Sequence, residues 1–111
     1  MTITEGLGEI KYGEAAYAEF DISDFIDRLH YFETSCGSCT TAIIDRITNR
    51  LKVSIDTTKV GATEGQLHML HKTVTLHLDP EVPEFISAED YKRTFNPDKS
   101  KVLCILTGHV Q

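Results

Sequence analysis

Apolar and polar residues alternate with a period of two in several stretches of the chain. Ala16, Ala18, Phe20 and Ile22 interleave with Tyr17, Glu19 and Asp21. Leu51, Val53 and Ile55 interleave with Lys52, Ser54 and Asp56, and Val74, Leu76 and Leu78 with Thr73, Thr75 and His77. Successive side chains of an extended chain point to opposite faces, so each stretch predicts a strand buried on one side. Gly8–Glu14 adds a short β-like piece closed by a glycine turn. Val102-Leu103-Cys104-Ile105-Leu106 is apolar at every position. It predicts a central strand, either covered from both sides or turning its outer face to a partner.

Turn chemistry separates these stretches. Asp56–Gly61 and Glu64-Gly65 carry the Asp, Thr and Gly residues that favour tight turns. Residues 79–100 differ in character. Asp79-Pro80-Glu81-Val82-Pro83 and Asn96-Pro97-Asp98 punctuate a polar stretch holding Tyr91 and Phe95, and Ser87 and Asp90 have the spacing of a capping box. This reads as a long excursion between the last two strands. Connections of that length are commonly functional, which makes Tyr91 and Phe95 candidate partner-binding residues; a solvated insertion is the plainer reading.

Two segments carry helical spacing instead: Phe25, Ile26, Leu29 and Phe32, with Asp24 as a cap, and Ile43, Ile44, Ile47 and Leu51. Two helices flanking Cys36 and Cys39 would make a different fold. The β-branched residues around Thr40–Ile44 argue against it. The prediction is therefore an all-β sandwich of about seven strands, a single domain over residues 1–111.

Composition narrows the function. The 111 residues are 41% hydrophobic and 25% charged, ordinary values for a soluble domain large enough to bury its own core. Seventeen acidic against eleven basic residues give a net charge of −6, with no basic stripe. That balance speaks against nucleic acid and anionic membrane as partners and leaves protein, either a larger assembly or another copy. No apolar run has the length of a membrane span, and no export signal is legible at Met1–Gly6, so a cytoplasmic or virion location is expected.

The three cysteines, Cys36, Cys39 and Cys104, are an odd number and do not describe a disulfide framework; a reducing compartment is the preferred reading. Cys36-Gly37-Ser38-Cys39 is the sharpest motif in the chain. A Cys-x-x-Cys pair suits a dithiol oxidoreductase, given a helix N-terminus to lower a thiol pKa. It equally suits half of a tetrahedral zinc site, with His68 and His71 as the remaining ligands. In an extended strand those two imidazoles would face opposite ways, which weakens the zinc set. The plain alternative is a glycine-permitted loop with idle thiols. No phosphate-binding loop and no nucleophile–base–acid set is legible, so no cofactor is expected and the chain reads as non-catalytic.

Several of these segments resemble a bacterial family of hydin-like immunoglobulin-type domains. Leu7–Glu14 is similar to the family's opening Gly-x-Ile/Val-x-x-Gly strand, and Ala18–Asp24 to the strand that follows. Ser35-Cys36-Gly37-Ser38-Cys39-Thr40 resembles its Ser-Cys-Gly-Cys-Thr loop with one residue inserted. Leu51–Thr57, Lys72–Leu78 and Leu103–Val110 stand where its later strands would. The likeness spans nearly all of the chain outside 79–100. The inserted Ser38 and the altered turns at Ser23–Phe25 and Thr48–Arg50 depart from the family's pattern. The resemblance implies a seven-strand immunoglobulin-like sandwich of the kind used for docking and scaffolding, and a phage capsid or tail accessory protein is one setting for a free-standing copy.

Overall fold

The computed structural model describes residues 1–79 and 101–111. Seven strands make two sheets: β1 (Thr2–Ile10), β2 (Ala15–Asp21), β3 (Leu29–Thr34), β4 (Thr40–Asp45), β5 (Arg50–Asp56), β6 (His68–Leu78) and β7 (Lys101–Val110). One sheet has the order β1-β7-β6-β3, the other β2-β5-β4. All pairings are antiparallel except β1 with β7. This is an immunoglobulin-like sandwich whose first strand lies beside the last.

Each alternating stretch places its apolar set between the sheets. Ala16, Ala18, Phe20 and Ile22 from the β2 side meet Leu51, Val53 and Ile55 of β5; opposite them stand Leu70, Val74, Leu76 and Leu78 of β6 and Val102, Cys104, Leu106 and Val110 of β7. Every one of these is buried. Burial of a Val, Leu, Ile or Phe side chain contributes roughly 1.5–3 kcal/mol, so this two-sided layer dominates the stability.

The chain changes sheet between Ile10 and Ala15. Gly13 there has φ +95°, a conformation only glycine adopts cheaply. Thr57, fully buried at the end of β5, fixes this crossover. Its Oγ1 accepts from Gly13 N–H at 2.9 Å and donates to Glu14 C=O at 2.7 Å.

Neither helical segment exists as a helix. Ile26–Arg28 is one 3-10 turn leading directly into β3. A register irregularity between Leu29 and Tyr31 breaks the parity of β3. Leu29 and Phe32, three apart, therefore both pack against the core, which imitates helical spacing. Ile43 and Ile44 lie in β4, and Ile47 is 95% exposed in the hairpin to β5. Asp45 Oδ1 accepts from the N–H groups of Ile47 and Thr48, and Asn49 takes φ +55° to close the turn. The excursion at 79–100, with Tyr91, Phe95 and the Ser87–Asp90 cap, lies outside the described residues beyond Asp79.

Candidate functional site

The two outer faces of the sandwich differ in chemistry. Ion pairs link the charged residues on the outside of the three-stranded sheet, where Tyr17 and Ile43 are also exposed. Lys52 Nζ lies 3.1 Å from Asp45 and 3.8 Å from Glu19, Arg50 is 4.0 Å from Glu19, and Tyr17 Oη donates to Glu19 at 2.9 Å. The Lys52 ammonium, helped by the Ile47 and Thr48 N–H groups, pulls the Asp45 carboxyl down to about 2. The charges on this face are matched by one another, as on ordinary solvated surface.

The outside of the four-stranded sheet is neutral at its centre. Register places Thr73 beside Ile105 and Thr75 beside Leu103 across β6 and β7. On the other side of β7, Thr2 stands by Leu103, Thr4 by Ile105 and Gly6 by Thr107. Leu103 and Ile105 alternate with buried Val102, Cys104 and Leu106, are only partly exposed, and take no part in the core cluster. This neutral centre combines apolar and methyl-bearing side chains with hydroxyls.

Ionisable groups form its rim. At one end Tyr31 stacks on His77, ring centroids 4.3 Å apart and 9° from parallel. His77 Nε2 is shielded from solvent without a hydrogen bond, although Glu33 Oε2 lies 3.5 Å away. His30 Nδ1 stands 3.4 Å from Asp79, whose N–H donates to Arg28 C=O. At the other end lie His71 beside Thr107 and His109 beside Met69, the latter 66% exposed.

The sequence motif lies elsewhere. Cys36 and Cys39 sit in the loop from β3 to β4 and are joined to each other by a disulfide. That corrects the expectation of unpaired thiols: Cys36 and Cys39 pair locally, and only Cys104 stays free. Cys104 is completely buried on β7, and loss of solvation pushes its thiol up to about 12. The loop is anchored on both sides. Ser35 and Thr73 exchange two hydrogen bonds of 2.9 Å, and Asp56 N–H donates to Cys39 C=O at 2.8 Å.

The zinc set of Cys36, Cys39, His68 and His71 is not assembled. Both sulfurs are consumed in their mutual bond, and His68 and His71 fall on opposite faces of β6. Among the described residues no group of three or more His, Cys, Asp or Glu side chains converges as a metal site. No helix follows Cys39 either, since Thr40 begins β4. The helix N-terminus that a thioredoxin-like pair requires is therefore missing from this loop. Beside the loop a polar recess of about 360 Å³ is lined by Ser38, Cys39, Thr41, Ser54, Asp56 and Lys59 among others. Among the described helices none is long and apolar enough to cross a membrane.

No protein-family model, curated protein or solved structure matches the chain.

Proposed function

We propose that this chain is a non-catalytic protein-binding module that docks through the outer face of its four-stranded sheet onto another protein of a larger assembly. The observation that carries the reading is the neutral centre of that face, Thr2, Thr4, Leu103, Ile105, Thr107, Thr73 and Thr75, set against the ion-paired face on the other side. Interfaces are depleted of charge at their cores and ringed by polar groups, the pattern found here.

Size and charge select the occupant. Four strands spaced about 4.8 Å apart and six to eleven residues long present roughly 600 Å². Doubled, that is about 1,200 Å², the low end of specific interfaces and well below obligate homodimers. A net charge of −6 on each chain opposes self-pairing. The occupant that fits is a separately folded protein with an uncharged patch and a neutral or basic surround. A virion accessory role and membership of the hydin-like family belong to this proposal on the sequence resemblance alone.

Ile105→Arg places a charge in the centre of the face without touching the core; Ser54→Arg does the same on the opposite sheet. In extracts of the cells that naturally make the protein, wild type and Ser54→Arg should elute in a complex larger than the free chain, and Ile105→Arg as the free chain. Elution of all three at one size would sink the proposal.

A further inference from the structure

The β3–β4 loop has a chemistry that docking through the sheet does not use. Its two sulfurs are unequal. Cys39 is 3% exposed and packs in the core cluster, whereas Cys36 is partly exposed, beside exposed Gly37 and Ser38. A thiolate arriving from solvent therefore reaches Cys36 Sγ, and Cys39 Sγ is the sulfur that leaves.

The loop also holds hydrogen-bonding groups suited to the reduced form. In the disulfide neither sulfur carries a proton, yet Cys36 C=O lies 3.8 Å and Thr40 Oγ1 3.7 Å from Cys39 Sγ. Both oxygens accept a thiol S–H at that range, so a Cys39 thiol formed in the core has partners in place. A buried polar group with partners costs far less than one without. Ser38 Oγ, 3.8 Å from Cys36 Sγ, is placed to donate to sulfur anion there. The backbone bonds from Thr40 N–H to Cys36 C=O and from Asp56 N–H to Cys39 C=O hold the loop independently of the S–S bond.

We propose that Cys36–Cys39 is a thiol–disulfide exchange site that takes a small-molecule thiol on Cys36. The attacking thiolate forms a new S–S bond to Cys36 Sγ. The bond to Cys39 breaks, its electron pair goes to Cys39 Sγ, and a solvent proton completes the buried thiol. A second equivalent attacks the sulfur of the bound small molecule and expels Cys36 as thiolate. The balance is one protein disulfide and two small thiols giving one protein dithiol and one small-molecule disulfide. With no helix dipole on the loop, this is equilibrium exchange and not rapid turnover. The site is a modification site, independent of the docking face.

Glutathione is the probe. The purified, oxidised full chain is incubated with excess glutathione, quenched with acid, and mapped by peptide mass spectrometry. The mixed disulfide should appear on Cys36 at least tenfold above Cys39, with none on Cys104. With oxidised glutathione as the probe instead, the free Cys36 thiol of Cys39→Ser should take up one glutathione and release the other as thiol, and Cys36→Ser should react in the same way at Cys39 at least tenfold more slowly. The wild-type map decides the matter even if a variant folds poorly. Adduct divided evenly, or mainly on Cys39, overturns the proposal; so does a disulfide that glutathione reduces only after the chain is unfolded in urea.

Discussion

Replacing Thr57 by Val separates hydrogen bonding from packing at the point where the chain changes sheet. The two side chains are nearly isosteric, so the core volume at this completely buried site is preserved. What is lost is the hydroxyl that accepts from Gly13 N–H at 2.9 Å and donates to Glu14 C=O at 2.7 Å. A typical bond contributes about 0.5–1.5 kcal/mol net, and a buried group stripped of its partner costs about 1–3 kcal/mol. Water reaches part of this turn, so the combined loss is about 2–3 kcal/mol. For a chain of this size that lowers Tm by roughly 8–12 °C.

Thr57→Ser is the companion variant. It keeps the hydroxyl and removes one methyl, at a cost of about 1 kcal/mol. Urea unfolding followed by far-ultraviolet circular dichroism and tyrosine fluorescence (the chain has no Trp) measures both. The expected order of stability is wild type, Ser, then Val. If packing alone held the crossover the order would invert, with Val near wild type and Ser worse. A Val variant within about 0.5 kcal/mol of wild type would refute the reasoning.

Two further outcomes follow from the same geometry. A Cβ at Gly108 would stand 2.9 Å from Gly8 C=O and 3.1 Å from Ile10, so Gly108→Ala should cost about 1–3 kcal/mol in a urea titration, while Gly37→Ala, with nothing within 4 Å, should be neutral. The Asp45 carboxyl is depressed in the folded chain, so its contribution is present above its unfolded pKa and disappears as pH falls from about 4 to about 2; urea midpoints measured across that window should fall less steeply in Asp45→Asn than in wild type.

The strands that announce themselves in the sequence are β2, β5 and the second half of β6, whose alternation is unbroken, and β7, whose middle five residues are all apolar. β3 and β4 were hidden for physical reasons. The irregularity near His30 put Leu29 and Phe32 on one face despite odd spacing, and the fully exposed Ile47 supplied a false third turn of helix. Val102–Leu106 showed that its outer face would be apolar. Its neutral surroundings were invisible, because they depend on the register that sets Thr73 against Ile105 and Thr75 against Leu103. The disulfide escaped for the opposite reason: the motif was plain, but an odd cysteine count pointed away from a bond that needs only a four-residue loop. Thr57 looked like turn chemistry, and only the 3-10 turn after β5 aims it inward.

Docking through the outer face of the four-stranded sheet is tested most directly by a photo-cross-linking side chain. It is placed at Ile105 in one variant and at Ser54 on the opposite sheet in another, in the cells that naturally make the protein. The account predicts one discrete adduct, heavier than the chain by another protein's mass, from Ile105 and none from Ser54. Equal adducts from both positions, an adduct from Ser54 alone, or an Ile105 adduct of twice the chain's own mass would contradict it.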